Sequence, residues 1–293
     1  MDELINRLKK SGFGCYMGNN FYGSFGYADD LKVLCPTIGG LQKMIDICND
    51  FGIQFDVTFN AKKTLGICYG NVNPGNLIPI YLNNVVIKWH SVVKYLGNML
   101  SQDLSDAADI KLKKGSFIAA VNKLNFVFQN ADSFVRAKLL QTYCTSWYGC
   151  QSWLLGTSEA NVLDVEWRKA VRRTLQLPAR TRSAMLPALA GSNPFCQQHR
   201  SRVSKFINSL KSSKNLAVNY IYLRAQRNTI GPLGKNITYL KVCPADDQGH
   251  SVDLMDSRIA HIRELVRIRD GLDQLDTLNA AELEDILEYV CIS

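Results

Sequence analysis

The sequence predicts an α+β protein in which a small β-rich part precedes an all-helical part. Three observations support this class. Over about the first hundred residues, short apolar runs alternate with polar or glycine-containing turns, as in β-hairpins. From about Leu104 onward, apolar residues recur at the three- and four-residue spacing of amphipathic helices. Of the 293 residues, 46% are hydrophobic and 20% are charged, which is ordinary globular composition.

The first part is predicted to contain two helices and several short strands. Residues 1–10 and 40–51 have the apolar spacing of amphipathic helices. Two apolar runs on either side of Asp29-Asp30 predict a β-hairpin with the acidic pair in its turn. Asn83-Asn84 fits a second two-residue turn. The strand candidates are residues 21–27, 31–35, 55–59, 64–69, 80–82, 85–89 and 92–96.

The second part is predicted to be helical almost to its end. Asn193-Pro194 places a cap before a first-turn proline, and Asn279-Ala-Ala-Glu282 has capping-box spacing. Residues 228–253 contain two prolines and three glycines and are predicted to form a long loop. The predicted helices are residues 105–127, 132–149, 158–176, 194–211, 216–227, 254–269 and 279–290.

Positive charge is concentrated in the middle of the chain. Lys and Arg number 34 against 26 Asp and Glu, which gives a net charge of +8. Residues 111–215 hold 17 basic and 4 acidic side chains, whereas residues 250–293 hold 4 basic and 10 acidic ones. The middle region therefore suits a polyanion, which the last region would repel.

Several classes of protein are excluded or disfavoured. No run approaches the roughly 18–20 apolar residues of a membrane span, so no membrane partner is expected. Residues 1–10 lack the apolar region of a signal peptide. Nine scattered cysteines without a CxxC pair predict reduced thiols in an intracellular protein, nuclear or cytoplasmic. Cys196-x-x-His199 has no second pair nearby and predicts ordinary helix surface rather than a zinc site.

Tyr27-Ala28-Asp29-Asp30 is the segment whose residue types most directly suggest chemistry. Two adjacent carboxylates in a turn repel each other, which favours ionised, solvent-facing or metal-bound states. Mg²⁺ binds carboxylate oxygens together with substrate phosphates, and a metal pair can hold the attacking and leaving oxygens of a phosphoryl transfer. The alternative is that both aspartates serve only the turn, where Asp is favoured.

A wider set of motifs resembles the reverse transcriptases of non-LTR (LINE-type) retrotransposons. The set comprises YADD within Gly23-Ser-Phe-Gly-Tyr-Ala-Asp-Asp-Leu31, the segment Gly40-Leu-Gln-Lys-Met-Ile-Asp-Ile-Cys48, FNxxKT at residues 59–64 and KYLG at residues 94–97. Their order and spacing fit, and the resemblance extends over nearly the whole chain. It implies three regions: part of a polymerase palm (1–102), a helical thumb-like region (103–190) and a helical C-terminal region (191–293).

The resemblance assigns roles to residues of the first part. Asp29 and Asp30 would be catalytic ligands of Mg²⁺ or Mn²⁺, and Lys63 would approach the phosphates of the incoming nucleotide as a catalytic residue. Three residues would shape the primer-gripping hairpin: Tyr95, Leu96 and Gly97. The alternatives are a solvated lysine beside Lys62 and a simple edge strand with a glycine bulge.

A basic cluster in the thumb-like region is predicted to bind nucleic acid. Its six cations are Arg168, Lys169, Arg172, Arg173, Arg180 and Arg182. Tyr148 and Trp167 could add stacking on bases or sugars, whereas Trp147 and Trp153 are expected in the core. Such a surface would hold a duplex by its backbone without reading sequence. The alternative is a solvated helical face.

The resemblance also implies partners and a limit on activity. The intact family uses an RNA template, a DNA primer and deoxynucleoside triphosphates. Its third catalytic aspartate lies upstream of YADD, and residues 1–10 match a helix that follows that aspartate. We therefore expect a polymerase fragment with an incomplete metal site, inactive alone. The alternatives are a non-catalytic nucleic-acid-binding protein derived from the thumb, and a relic destabilised by exposed sheet edges.

Overall fold

A computed structural model of the chain describes residues 1–242 and 252–272. Within these ranges the protein combines helices with small two-stranded hairpins, which confirms the predicted α+β class. The chain divides into two compact units. The first contains Met1–Tyr95 and Met99–Ser105, and the second contains Leu96–Asn98 and the described residues from Asp106 onward. The three domain ranges given above stay predictions.

The first unit is built from two helices and short paired strands. Helix α1 spans Asp2–Lys10 and α2 spans Ile38–Phe55. The Thr37 hydroxyl accepts a hydrogen bond of 3.1 Å from the Gly40 amide and caps the start of α2. Asn83 and Asn84 form a hairpin turn with φ of 50° and 60°, as predicted. The eight strands form four two-stranded sheets, each made of two consecutive strands. The pairs are β1 (Tyr16–Met17) with β2 (Asn20–Phe21), β3 (Ser24–Tyr27) with β4 (Asp30–Val33), β5 (Ile80–Leu82) with β6 (Val85–Ile87), and β7 (Val92–Tyr95) with β8 (Asn98–Ser101).

Helix α2 forms the centre of the first unit because its apolar residues serve two clusters. One cluster joins α1 to α2 and contains Leu4, Leu8, Met44, Cys48 and Phe51. The other joins α2 to the β5–β6 hairpin and contains Ile45, Ile80, Leu82 and Ile87. Partly buried Leu31 and Val33 of β4 pack against the first cluster. The position of the β3–β4 hairpin therefore depends on α1 and α2.

Two predicted strands, residues 55–59 and 64–69, are wrong. Helix α2 continues to Phe55, and Asp56 ends it in the left-handed conformation with φ of 55°. Residues 64–69 form no strand, and only Gly66 makes an isolated bridge, to Trp89. Aromatic and β-branched residues favour strands, but here Phe55 continues the helix and packs on Phe51, which is buried in the α1–α2 cluster, at 4.5 Å between ring centroids.

The second unit is helical in the part of the chain that the structure describes. Its helices are α3 (Ala107–Val127), α4 (Ser133–Leu139), α5 (Ser158–Thr174), α6 (Leu186–Ala190), α7 (Phe195–Lys211), α8 (Leu216–Arg227), α9 (Pro232–Val242) and α10 (Val252–Leu272). The Thr157 hydroxyl accepts a hydrogen bond from Ala160 and caps α5, and the Asn215 side chain caps α8. Among the described helices, none is long and apolar enough to cross a membrane.

Three helix predictions need correction. The helix predicted over 132–149 ends as an α-helix at Leu139 and continues as a π-helical segment, Leu140–Cys144. The segment 228–253, predicted to be a loop, contains the helix α9. Pro232 does not prevent this helix, because it is the first helical residue, where proline is tolerated. Pro194 precedes α7 as its cap residue, without the Asn193 cap expected. The helix predicted over 279–290 lies outside the described residues.

His199 is a core residue and not the surface residue predicted from its spacing to Cys196. Its imidazole is buried and stacks on Phe195 at 5.4 Å between ring centroids, and it meets Trp153 edge-on at 5.9 Å. Burial lowers the pKa of His199 to about 4, although hydrogen bonds to the backbone of Cys150 and Trp153 oppose this shift. The imidazole is therefore neutral in the folded protein near pH 7.

We predict that the neutral state of His199 makes stability depend on pH. The unfolded chain binds a proton at this histidine below about pH 6.5, whereas the folded chain does so only near pH 4. Stability is thus lost as the pH falls through this window, by up to about 3 kcal/mol. Urea unfolding of the wild type and of His199→Gln measures it. The stability advantage of the wild type should shrink between pH 6.5 and 4, and an advantage constant with pH would contradict the prediction.

Candidate functional site

The acidic hairpin places its two carboxylates in adjacent but different positions. Tyr27 pairs with Asp30, so the turn consists of Ala28 and Asp29, one residue earlier than predicted. Ala28 has a φ of 51°, which is uncommon for a residue with a side chain. Asp29 and Asp30 are both exposed, and the Tyr27 side chain is 66% exposed. The hairpin therefore presents its carboxylates to solvent.

Tyr95 lies beside the acidic hairpin, within the first unit. The Lys32 ammonium on β4 is 5.0 Å from the centroid of the Tyr95 ring, which is a cation–π distance. Burial raises the pKa of the Tyr95 phenol, and the nearby Asp30 carboxylate raises it further. Burial lowers the pKa of Lys32. The fold thus brings the YADD and KYLG motifs together. Lys32 was missed because no motif points to it.

Lys63 belongs to a turn that Asn60 organises. The Lys63 amide donates hydrogen bonds to the Asn60 backbone oxygen at 3.1 Å and to its Oδ1 at 3.2 Å. The Thr64 hydroxyl donates to the same backbone oxygen at 2.9 Å. The Asn and Thr of the FNxxKT pattern are therefore explained by the hydrogen bonds of this turn. The Lys63 side chain is exposed, and none of the contacts described for it joins it to Asp29 or Asp30.

Leu96 and Gly97 form the turn between β7 and β8. Their φ angles are 44° and 80°, so both residues are left-handed, as in a type I′ turn. The structure therefore places the glycine in a turn and not in the bulge considered above. The tip Leu96–Asn98 groups with the second unit, where the Lys113 ammonium donates a hydrogen bond of 2.7 Å to the Gly97 carbonyl.

Four of the six predicted cations line one groove of the second unit. The groove has a volume of about 500 Å³ and lies along α5 and the segment that follows it. Its lining residues are Val165, Arg168, Lys169, Arg172, Arg173, Leu177, Ala179 and Ser183. Arg180 and Arg182 are exposed on the same following segment. Helical spacing explains this grouping, because at about 100° per residue these four positions lie within an arc of about 140° on one side of α5.

The groove cations differ in how free they are to bind a phosphate. Arg168 pairs with the buried carboxylate of Asp164, at 2.9 Å from its Nε. Arg173 donates a hydrogen bond of 2.6 Å to Asn122 Oδ1 on α3. Among the described residues, the contact given for the Lys169 ammonium is an exposed ion pair of 3.2 Å with Glu166, which contributes little stability. Lys169 is therefore the most available of these three.

Arg172 is largely a structural residue. Its guanidinium donates to the Thr181 carbonyl from Nε at 3.2 Å and from Nη2 at 2.7 Å, and to the Ser183 hydroxyl at 2.9 Å. Burial lowers the pKa of Arg172, and neighbouring Arg168 adds to this. These bonds hold the segment after α5 against the helix and so shape the groove. The sequence predicted the charge of Arg172 but not this role.

The tryptophans mostly serve the core. Trp147 and Trp153 are buried, as predicted. Trp167 is fully buried as well, so its predicted stacking on nucleic acid is wrong: its helix position faces the core of the second unit. Tyr148 is more than half exposed and remains available.

The acidic turn does not by itself complete a metal site. Asp29 and Asp30 carry oxygen ligands of the kind that Mg²⁺ prefers. Within residues 1–242 and 252–272, however, no group of three or more His, Cys, Asp or Glu side chains is close enough to hold a metal ion.

Comparison with known proteins relates the chain to reverse transcriptases. No family model matches it. A segment of 107 residues is 27% identical to the RNA-directed DNA polymerase from mobile element jockey of Drosophila melanogaster. The match covers 34% of this chain and 12% of that polymerase. This similarity supports a reverse-transcriptase relationship and, in general terms, nucleic-acid partners.

We predict that Ala28→Gly stabilises the first unit by roughly 1 kcal/mol, because glycine adopts a positive φ without steric cost. Urea unfolding measures the change. Gly39→Ala is the matched control, since Gly39 lies in α2 and a Cβ there would meet nothing within 4 Å. The Gly39→Ala substitution should also stabilise the unit, because alanine has a higher helix propensity than glycine. A loss of stability in Ala28→Gly would show that the turn does not hold Ala28 in the left-handed conformation.

We also predict unequal effects of removing charge from two groove-side arginines. Arg172→Gln should destabilise the second unit by about 2 kcal/mol, because hydrogen bonds from a charged group to the Thr181 carbonyl are lost. Arg180→Gln should change stability by less than about 0.5 kcal/mol, because the side chain is exposed. Denaturant unfolding compares the two variants. Equal effects would rule out the structural role of Arg172.

Proposed function

We propose that the chain is part of a non-LTR retrotransposon reverse transcriptase and binds the nucleic-acid backbone through its basic groove. The observation that carries this proposal is the meeting of two motifs far apart in the sequence. The Lys32 ammonium, two residues after the YADD motif, lies 5.0 Å from the centroid of the Tyr95 ring of KYLG. The Asp30 carboxylate of YADD is close enough to raise the pKa of the Tyr95 phenol. Similarity to the jockey polymerase supports the same family.

In this proposal the first unit corresponds to part of a polymerase palm, with Tyr95, Leu96 and Gly97 as the primer-gripping turn. The helices after residue 103 correspond to a thumb, followed by a C-terminal region from residue 191. The RNA template and the DNA primer would be partners, and deoxynucleoside triphosphates would be substrates of the complete enzyme. Its site of action would be intracellular.

The groove would bind phosphates without reading bases. Lys169 is its most available charge, and Arg173 is exposed although it donates a hydrogen bond to Asn122; Arg180 and Arg182 lie on the adjoining segment. Because Lys and Arg side chains displace counterions from a nucleic acid, affinity should fall with salt. Arg168 and Arg172 contribute to the local positive potential while their hydrogen bonds keep the groove in shape.

For catalysis, Asp29 and Asp30 would hold Mg²⁺ or Mn²⁺. A bound metal ion would supply charge neutralisation at the transferring phosphate. Lys63 would lie near the incoming nucleotide. Since no third ligand joins the aspartates among the described residues, we propose that the chain alone does not polymerise and that another segment or chain would supply the missing carboxylate.

A second candidate is a non-catalytic nucleic-acid-binding protein. The specific observation in its favour is that the basic groove lies in the second unit, whereas the aspartates lie in the first. Binding through the groove therefore does not require Asp29 or Asp30. The two candidates differ in metal-dependent synthesis and not in binding.

We predict that the chain binds an RNA–DNA duplex with an affinity that falls steeply with salt. Each phosphate contact removed should lower the slope of log affinity against log salt by about 0.7–0.9. Fluorescence anisotropy over a salt series tests this for Lys169→Gln and Arg173→Gln. Lys205→Gln, an exposed lysine on α7 outside the groove lining, is the matched control. Equal slopes in all variants would place binding elsewhere.

Primer extension on an RNA template with Mg²⁺ or Mn²⁺ separates the two candidates. We expect no extension by the chain alone, and unchanged duplex binding by Asp29→Asn. Extension that disappears in Asp29→Asn would overturn the proposed inactivity and establish the polymerase. Extension restored by adding a segment that carries the missing carboxylate would support the leading candidate over the second.

A further inference from the structure

The loop Thr145–Gly149 turns two neighbouring aromatic residues in opposite directions. Trp147 has a φ of 43° and Gly149 has a φ of 87°. A left-handed conformation is rare for a residue as bulky as tryptophan and persists only where surrounding structure enforces it. The Trp147 indole is buried against Phe117 and Phe195, with ring centroids at 4.7 and 4.9 Å. Burial of this indole thus fixes the loop.

The next residue, Tyr148, points outward and lies against the turn of the primer-gripping hairpin. Its side chain is 58% exposed. A Cβ atom on Gly97 would lie only 3.2 Å from Tyr148 Cε1, so the ring is in close contact with the glycine backbone. Both residues belong to the second unit. The phenolic hydroxyl makes no hydrogen bond within the part of the chain that the structure describes.

Two further contacts hold the ring and the turn together. The Lys113 ammonium bonds the Gly97 carbonyl at 2.7 Å and lies 5.2 Å from the Tyr148 ring centroid. The Lys113 side chain is only 14% exposed, and its ammonium lies 4.0 Å from the Asp109 carboxylate. Lys113 therefore holds the Gly97 turn and the Tyr148 ring in place. The Asn98 side chain fills the space beside Gly149, where a Cβ would be 2.1 Å from its Oδ1. The exposed ring is therefore preorganised.

We propose that Tyr148 is a stacking platform for an unpaired nucleotide of the bound strand, adjacent to the Leu96–Gly97 turn. This inference rests on the proposed function, since it names a further nucleic-acid contact outside the basic groove. A fixed, exposed aromatic ring in a basic region suits a nucleobase, because every base has a face that stacks. The cation beside the ring orients it without being free to bind a phosphate. Lys113 is accordingly a positioning residue.

The experiment measures the affinity of the full chain for a short single-stranded oligonucleotide over a salt series. Tyr148→Leu should bind about tenfold more weakly with an unchanged salt slope, because stacking is lost and no phosphate contact is. Tyr148→Phe should bind like the wild type. Tyr143→Leu is the control, since Tyr143 is equally aromatic and 73% exposed but lies away from the Gly97 contact. It should have no effect.

The outcomes distinguish this inference from the proposed function. Binding by the wild type that Tyr148→Leu leaves unchanged would overturn the platform and leave the groove proposal standing. A salt slope altered only in Tyr148→Leu would overturn stacking as the cause. Absence of binding by the wild type would overturn both. Should Tyr148→Leu not fold, Tyr148→Trp provides a second measurement: oligonucleotide stacking should quench the added fluorescence, and wild-type affinity without quenching would contradict the platform.

Discussion

Trp153 is fully buried, and its indole Nε1 donates a hydrogen bond of 2.8 Å to the carboxylate of Asp109 on α3. Phe195 of α7 packs on the same indole at 6.3 Å between ring centroids. Asn236 of α9 donates to the Trp153 carbonyl and accepts from the Leu155 amide, both at 2.9 Å. Three helices thus converge on residues 153–155, and α5, which carries the basic groove, begins only a few residues later. Trp153 also belongs to the same buried cluster as Leu163 and Trp167 of α5, so this junction supports the helix that carries the groove.

Much of the fold followed from sequence periodicity because amphipathic spacing reports burial directly. The α2 helix, the YADD hairpin and most helices of the second part were predicted in this way. The failures occurred where a local signal has two meanings. Pro232 can break a chain or begin a helix, and packing of α9 decides for the helix. Phe55 favours a strand, yet it ends α2. His199 has polar chemistry, yet aromatic contacts keep it buried.

The candidate site was predictable in its residue types but not in its partners. Spacing identified the cations along α5, while only the structure shows that Arg168 neutralises buried Asp164 and that Arg172 holds a carbonyl. An isolated buried carboxylate would be costly, which explains the first pairing. Left-handed residues were also unpredictable. Ala28 and Leu96 have a positive φ because each lies in a two-residue hairpin turn, whereas Trp147 has one where its indole is buried in the core.

The fit between Gly97 and Tyr148 constrains how this surface can diverge among relatives. A side chain at position 97 would enter the space of the tyrosine ring and would also oppose the positive φ of the turn. Position 149 has the same relation to Asn98. Residues in contact of this kind tend to be substituted together in related sequences. Chains with a bulkier residue at position 97 should therefore carry a smaller one at position 148, and an asparagine at position 98 should accompany glycine at position 149.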